Sequence, residues 1–377
     1  MAPPPLKLFD DLVEEVLLRF PPDDPASLLR AALVCKQWLR IVSGRHFRRR
    51  FRSFHRTPPM LGAFTKLHGF VPTSSFKCQV PAEVRHGRMV LDARHGRVLF
   101  HNVRHASEWW DPTLSLWYPI SGEQLGLPKL PRVPDPHECS SGFAVLCAAA
   151  GCNHLDCSHG PFLVVVVAVG LSEVFARVYS SEVGEWSEPT FAPHINESLR
   201  HPDSLYLMPG VLAGDTICFL LDTANAVVKF DLKTREMEWI HLPVTSYSSW
   251  PIALITAEDG SLGFARTKGR TLHLWSMVAG PSEEARWAQS RVIELETLFP
   301  VNALKCTPIM LRSVGIIYFF CTNDRGIYSV DLNSSQARKM PKSFGYPNYA
   351  VPFVSFCSPA LGAASTDEAP RDSSSSA

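Results

Sequence analysis

The spacing of apolar residues is helical from Leu8 to Phe47. Apolar side chains recur every four positions along one side of a first helix, at Leu12, Val16 and Phe20. The Pro21-Pro22 pair ends this pattern, because proline lacks a backbone donor and restricts the residue before it. A second helix is predicted to begin at Asp24-Pro25, an N-cap followed by proline in the first turn. A third segment continues the apolar pattern through Val34, Cys35, Trp38, Leu39 and Val42.

Three short helices of this kind carry more aliphatic surface than so small a unit can bury within itself. The excess indicates that a second surface covers part of the module. One interpretation is a partner protein. The alternative is that the helices only pack on the domain that follows them.

The order of residues in this stretch resembles the F-box, at Leu8-x-Asp-Asp-Leu12, Val16-Leu17-x-Arg19-Phe20, Leu28-Leu29-Arg30 and Val34-Cys35-Lys36-x-Trp38. In that family the helices bind the Skp-type adaptor of a cullin-RING ubiquitin ligase, and the rest of the chain selects the substrate. The resemblance implies an adaptor-binding surface made of Leu8, Phe9, Leu12, Val16, Leu17, Leu28, Leu29, Val34, Cys35 and Trp38. The family usually has Leu-Pro where this chain has Leu8-Phe9, so an aromatic ring replaces a residue of fixed φ.

Basic residues are concentrated at the end of the helical module, between Arg45 and Arg56. One interpretation is a nuclear-import signal or a strip that binds phosphates. The favoured interpretation is a solvated helix with its arginines outward. Its apolar side, which would face the next domain, consists of Phe47, Phe51 and Phe54.

After Thr57-Pro58-Pro59 the helical spacing gives way to short strands separated by Gly, Pro, Asn and Asp turns. A loose repeat runs through this region, in which a strand, a polar turn and a second strand follow one another. It occurs at 110–117, 178–186 and 230–239, in a stretched form at 274–287 and weakly at 330–337. The turn positions 111, 181, 231, 275 and 331 are 70, 50, 44 and 56 residues apart.

A period near fifty predicts a β-propeller of about six blades, with a seventh as an alternative. Inner strands of the blades are predicted within 87–100, 162–169, 211–221, 261–266 and 316–321. No two glycines are adjacent, so a kelch-like propeller is inferred from the period alone. The competing architecture is a pair of β-sandwiches, which requires no such period.

Three segments of the repeat region, 177–187, 230–236 and 258–263, resemble the associated domain of plant F-box proteins, especially those of grasses. The fold prediction is an α+β multidomain chain. It places a three-helix F-box at 1–56, a mainly β, kelch-like propeller at 57–358 and a disordered serine-rich tail at 359–377.

Composition limits the choice of compartment and partner. The formal net charge is +1, so the whole chain has no polyanion-binding character and nucleic acid is not an expected partner. No secretory signal is recognised, and the longest apolar run, 162–169, is too short to span a bilayer. The ten cysteines are therefore expected to be reduced in the cytosol or nucleus, and no membrane association is expected.

One cluster of residues resembles a metal site, with donors at Cys147, Cys152, His154, Cys157 and His159 and with Cys139 upstream. Zinc prefers such donors in a tetrahedral arrangement. The spacings do not form paired Cys-x2-Cys knuckles, so the favoured interpretation is a long hairpin loop between 143–148 and 162–169, without a metal or other cofactor.

No Gly-rich phosphate loop, His-Glu-x-x-His or Gly-x-Ser-x-Gly motif occurs. The sequence therefore points to no enzyme class, and the F-box resemblance implies a non-catalytic receptor. Such a receptor would bind the adaptor, and through it cullin, with its helices and an unknown protein substrate with its propeller. The alternative is a stand-alone propeller that binds a partner or carries an enzyme site, with the helices packed on the blades. Aromatic residues that could contact a substrate, or pack between blades, are Trp109, Trp110, Tyr247 and Trp250.

Overall fold

The structure is a computed structural model, and it describes residues 9–65, 69–78, 80–81, 89–102, 113–131, 140–154, 157–170, 173–193, 209–221, 226–243, 252–279, 285–299, 309–313, 316–321, 326–332, 334–339 and 350–357. Several sequence predictions fall outside these ranges. They concern Leu8, Trp109, Trp110, Cys139, Tyr247, Trp250 and the tail at 359–377.

Four helices form the first module, rather than the three predicted: α1 (Asp10–Leu17), α2 (Pro25–Ala32), α3 (Lys36–Ser43) and α4 (Arg45–His55). The arginine-rich segment forms the fourth helix. Its Phe47 and Phe51 pack in the same core as the first three helices. The prediction that Phe54 also faces inward is wrong. It lies exposed in the last turn of α4, where its ring contacts that of His55.

Six antiparallel sheets follow the helices and form the blades of a propeller. Blade 1 contains β1 (Met60–Thr65), β2 (Gly69–Pro72) and β24 (Ala350–Val354). Blade 2 contains β3 (Met89–Arg94), β4 (Arg97–Asn102), β5 (Thr113–Trp117) and β6 (Gln124–Gly126). Blade 3 contains β7 (Ser140–Cys147), β8 (Phe162–Val169), β9 (Glu173–Ser180), β10 (Glu185–Trp186) and β11 (Thr190–Pro193).

Blade 4 contains β12 (Val211–Ala213), β13 (Thr216–Leu221), β14 (Ala226–Asp231) and β15 (Met237–His241). Blade 5 contains β16 (Ile252–Thr256), β17 (Leu262–Lys268), β18 (Thr271–Ala279) and β19 (Ala285–Glu294), followed by a 3-10 helix at Leu295–Thr297. Blade 6 contains β20 (Ile309–Ser313), β21 (Ile316–Cys321), β22 (Gly326–Asp331) and β23 (Ala337–Lys339). Six blades agree with the count expected from the repeat.

The predicted repeat corresponds mainly to the third and fourth strands of a blade. It coincides with β9–β10, β14–β15, β18–β19 and β22–β23. Position 275 is wrong as a turn, because Trp275 lies within β18, opposite Gln289 of β19. Position 111 lies outside the described residues.

Three of the predicted inner strands are the second strands of their blades: β8, β17 and β21. A second strand has a neighbour on each side and packs against adjacent blades on both faces, so it is the most continuously apolar. The innermost strands are β24, β3, β7, β12, β16 and β20, and most of them lie against the innermost strand of the next blade. The other two predicted segments contain the hairpins β3–β4 and β12–β13.

The two ends of the propeller sequence meet in blade 1, where β24 pairs with β1. Phe353 of β24 enters an aromatic cluster whose ring centroids lie 6.0 to 6.4 Å from its own, formed by Phe64, Phe70 and Phe76. The ring of Trp117 from blade 2 lies 5.8 Å from that of Phe64. Blade 1 is therefore completed by the last strand, and it packs on blade 2 through an edge-to-face contact between aromatic rings.

Truncating Phe353 tests how far the fold depends on this closure. Phe353→Ala should lower the free energy of unfolding by about 3–5 kcal/mol, because it leaves a cavity in a fully buried cluster. The matched control is Phe191→Ala, since Phe191 is half exposed on β11. Urea denaturation followed by tryptophan fluorescence measures both. Equal effects of the two changes would contradict the closing role of Phe353.

Candidate functional site

Helix α1 is apolar on two sides, of which only one is buried. Val13 and Leu17 enter the core of the module, whereas Leu12 and Val16, one position before each, are 55% and 54% exposed. Residues four apart lie one above the other on a helix, so Leu12 and Val16 form a row open to solvent. A second protein could cover this row without disturbing the core.

Phe9 precedes α1 and accepts hydrogen bonds from the backbone of Leu12 and Val13. Its φ of −64° and ψ of 141° match the φ near −65° that proline would impose. The entry into α1 thus has the geometry expected of the Leu-Pro that the F-box usually carries, although the residue is Phe. The ring itself is 78% exposed.

Helix α2 repeats the arrangement of α1. Leu28, Ala31 and Ala32 are buried, while Leu29 remains half exposed. Leu33, four residues after Leu29, is 83% exposed and Val34 is 66% exposed. Leu33 was missed among the predicted surface residues, although its spacing from Leu29 was visible in the sequence.

The predicted adaptor-binding residues thus fall into three groups. The exposed ones are Phe9, Leu12, Val16, Leu29, Val34 and Cys35. Leu17 and Leu28 are buried in the core and support the exposed rows from beneath, and Trp38 is half buried against the same core. Leu8 lies outside the described residues.

Ion pairs hold the helices of the module in register. Asp10 accepts hydrogen bonds from Gln37 and Arg40 of α3, at 2.5 and 2.6 Å. Arg50 of α4 lies 3.0 Å from Glu14 and 2.5 Å from Glu15 on α1. Arg50 is therefore paired within the module, a contact that the favoured interpretation, with the arginines outward, did not predict.

Contacts among the described residues attach the module to the propeller. Phe356, which follows β24, packs in the helical core, with its ring centroid 6.2 Å from that of Phe51. Arg338 of blade 6 donates to Asp23 at 2.9 Å. Ser75, which follows β2, donates to the carboxylate of Asp24 and accepts from the backbone N–H of Ala26.

The propeller contains a buried ion pair on β3, the innermost strand of blade 2. Asp92 is buried, and its carboxylate lies 3.0 Å from Nε of Arg94. Asp92 also accepts from the N–H of Val145 on β7, at 2.8 Å, and Arg94 donates to the carbonyl of Gly210 before β12. Burial raises the pKa of Asp92, whereas Arg94 and the Val145 N–H oppose that rise. The pair connects the inner edges of three consecutive blades.

Four residues of the loop between β7 and β8 converge. The donor atoms of Cys147, Cys152, His154 and Cys157 all lie within 4.8 Å of one another. Cys147 is the last residue of β7, and it pairs with Phe162, the first residue of β8. The loop was predicted at this place, but the convergence of its donors was not.

Burial and neighbouring groups shift the pKa values of residues in and beside this cluster. Burial, together with the nearby thiols of Cys147 and Cys152, raises the pKa of the Cys157 thiol to about 12. His95, in the turn between β3 and β4, has its ring centroid 4.6 Å from that of His154. Burial lowers the pKa of His95 to about 3, with a further contribution from His154.

Family comparisons match both parts of the chain. A model of the F-box domain matches residues 5–50, which include α1, α2 and α3. A model described as "F-box protein AT5G49610-like, beta-propeller" matches residues 89–340, well over half of the chain. The chain belongs to this F-box protein family. The family is named after an Arabidopsis protein, which is consistent with a plant F-box protein. F-box domains generally bind Skp-type adaptors in SCF complexes.

Comparison with solved structures gives only distant likenesses. A structural-genomics protein from Lactobacillus plantarum is 11% identical, with a TM-score of 0.41, over 78% of this chain and 98% of its own. A chain of the nidogen/laminin complex is 12% identical, with a TM-score of 0.40, over 80% of this chain and 98% of its own. The luciferin-regenerating enzyme is 10% identical, with a TM-score of 0.37, over 69% and 80% respectively. Similarities this low carry no argument about function.

No curated protein matches the chain significantly. Across the part of the chain that the structure describes, no helix has the length and apolar character needed to cross a bilayer.

The contact between Asp24 and Ser75 predicts a pH dependence of module attachment. Hydrogen bonds from Ser27 and Ser75 lower the pKa of Asp24, and the nearby Arg30 contributes as well. A carboxylate whose pKa is lower when folded stabilises the fold above its unfolded value of about 3.9, and this contribution is lost as the pH falls through the folded pKa. Asp24→Asn should therefore weaken the protection of the α2 backbone amides against hydrogen exchange, most strongly above about pH 5. The difference from the parent protein should shrink as the pH falls.

Hydrogen exchange of α2 peptides at a series of pH values measures this difference, after correction for intrinsic rates. Asp11→Asn is the control, because Asp11 is an exposed aspartate of α1. A difference between parent and Asp24→Asn that stayed constant down to pH 3 would contradict the assigned role of Asp24.

Proposed function

We propose that this F-box protein is a substrate receptor of an SCF-type ubiquitin ligase. The observation that carries the proposal is the combination of an F-box module with an exposed apolar surface and a closed six-blade propeller on the same chain. The receptor role requires two binding surfaces on one rigid body, one for the ligase and one for the target. Catalysis would then belong to the ligase, and this chain would act by raising the local concentration of the target.

The proposed adaptor-binding surface consists of the exposed members of the F-box. They are Phe9, Leu12, Val16, Leu29, Leu33, Val34 and Cys35. A stable interface of this kind buries roughly 1,600 Å² in total, about half of it on each partner. Apolar side chains exposed in a free protein are typical anchors of such an interface, because their burial releases ordered water without leaving a polar group unpaired. The Skp-type adaptor is the proposed occupant, with cullin bound through it.

The proposed role of the propeller is to bind the target protein. The closed ring supports this role, since loops joining rigid strands offer positioned side chains at both ends of the blades. Trp109, Trp110, Tyr247 and Trp250 remain predicted contact residues. The proposal also includes a non-enzymatic role, a cytosolic or nuclear location, a kelch-like character of the blades and a relationship to grass proteins.

Charge substitutions on the exposed rows test the adaptor-binding surface. Leu12→Asp and Leu33→Asp should each weaken binding of a Skp-type adaptor by more than about tenfold, because an unpaired carboxylate would be buried at the interface. Both side chains are exposed in the free protein, so neither change should unfold the module. Titration of the full chain with purified adaptor, by calorimetry, measures the affinity.

The matched control is Val183→Asp, which places the same charge at a position of blade 3 that is 71% exposed. This control should bind the adaptor as the parent does. If Leu12→Asp and Leu33→Asp bound as tightly as the control, the mapped surface would be wrong. A parent protein that bound no adaptor at all would favour the stand-alone propeller.

A further inference from the structure

We propose that Cys147, Cys152, His154 and Cys157 bind one zinc ion in a closed tetrahedral site of structural type. Three thiolates and one imidazole form a donor set common in structural zinc sites. The four donors come from a single loop of blade 3, whose ends are fixed by the pairing of β7 with β8. The proposal rests on this arrangement and is independent of the receptor role.

The distances between donor atoms are close to those of a zinc site. Tetrahedral coordination at typical bond lengths would place sulfur atoms roughly 3.8 Å apart and sulfur from nitrogen roughly 3.5 Å apart. The sulfur of Cys157 lies 3.8 Å from Nδ1 of His154, and no pair of donor atoms exceeds 4.8 Å. Binding would therefore require shifts of about 1 Å or less.

The backbone of the loop is shaped for this convergence. Gly151 and His154 both have positive φ, 64° and 57°, which reverses the chain direction on either side of Cys152. The N–H of His154 donates to the sulfur of Cys152 at 3.3 Å, a contact that stabilises a thiolate more than a thiol. His154 and Cys157 are separated by two residues, the spacing of a zinc knuckle with histidine in place of one cysteine.

A buried cation lies beside the cluster and requires a compensating charge. Arg97 is completely buried, and its Nη2 donates to the carbonyls of Cys157 and Gly160 at 2.7 and 2.6 Å. Among the described residues, no carboxylate forms an ion pair with Arg97, and its Nε and Nη1 have no hydrogen-bond partner. Zinc bound by three thiolates and a neutral imidazole carries a single net negative charge, which would balance this guanidinium.

The surroundings of the cluster come from the adjacent blade. Arg97 and His95 belong to the hairpin β3–β4 of blade 2, and Ser158 packs against Gly96 of the same hairpin. His159 stacks on Tyr118 after β5, with ring centroids 5.3 Å apart. A metal here would fix the loop of blade 3 in the shape that contacts blade 2, and so would strengthen the junction between the two blades.

His159 is excluded from the proposed ligand set. It does not belong to the group of donor atoms that converge, and its Nδ1 lies 3.7 Å from a carboxylate oxygen of Glu123. The proposed ligand set is therefore three cysteines and one histidine. In a looser cluster, either histidine could bind the metal.

The test is the metal content of the full chain purified after expression with added zinc. The parent should contain one zinc per chain by mass spectrometry of the metal. Cys152→Ser and His154→Ala should each lower that content at least fivefold. His159→Ala and Cys35→Ser are the matched controls, and they should retain one zinc per chain. Cobalt loaded in place of zinc should show the visible bands of tetrahedral coordination and the sulfur-to-cobalt charge-transfer bands of thiolate ligands.

A measurement on the parent protein covers the case in which the variants fail to fold. Titration of its thiols with a mercurial should release one zinc, detected with a chelating dye, as the three clustered cysteines react. Three outcomes would overturn the proposal: no zinc in the parent, equal zinc in the ligand variants and the controls, or a disulfide between two of the three cysteines. Stoichiometric binding of a different metal would overturn the assignment to zinc.

Discussion

The pairing of β24 with β1 is the interaction on which the rest of this structure depends. Blade 1 has only two strands from the beginning of the propeller, and a two-stranded sheet is marginal alone. The third strand comes from the other end of the chain, so the two strand pairings of blade 1 enclose the other five blades in sequence. Long-range pairing of this kind joins all six blades into one cooperative unit.

The same segment also positions the helical module. Phe353 lies in the aromatic cluster of blade 1, and Phe356, three residues later, lies in the helical core beside Phe51. The same short segment therefore both closes the ring and packs in the core of the helical module. In the proposed receptor role this coupling would matter, because a fixed orientation between the proposed adaptor-binding and target-binding surfaces would give a high effective concentration of the target near the ligase. A flexible connection would spread the target over many positions.

The sequence predicted the first three helices, the number of blades and the loop between β7 and β8, because each depends on local patterns. The hairpin β14–β15 is an example. Asp231 accepts from the N–H groups of Lys233 and Thr234, and this Asp-headed turn recurs at Asp331. The order of strands within a blade was harder to predict. In blade 3 the second strand, β8, is more apolar than the innermost strand, β7, because β8 has a strand on each side and adjacent blades on both faces. The cysteine cluster was harder still, because spacing cannot show the positive φ of Gly151 and His154 that brings the donors together.

The exposed row on α1 is explained only by considering both sides of the helix. Val13 and Leu17 are sufficient to anchor α1 to the core, so the fold does not require Leu12 and Val16 to be apolar. Polar residues there would improve solubility at no loss of packing. Phe9, which precedes α1, also exposes apolar surface that the core does not need. It adopts the φ of proline but adds an exposed ring. Apolar side chains that contribute nothing to the core of a free protein are best explained by a surface that forms only when a partner binds.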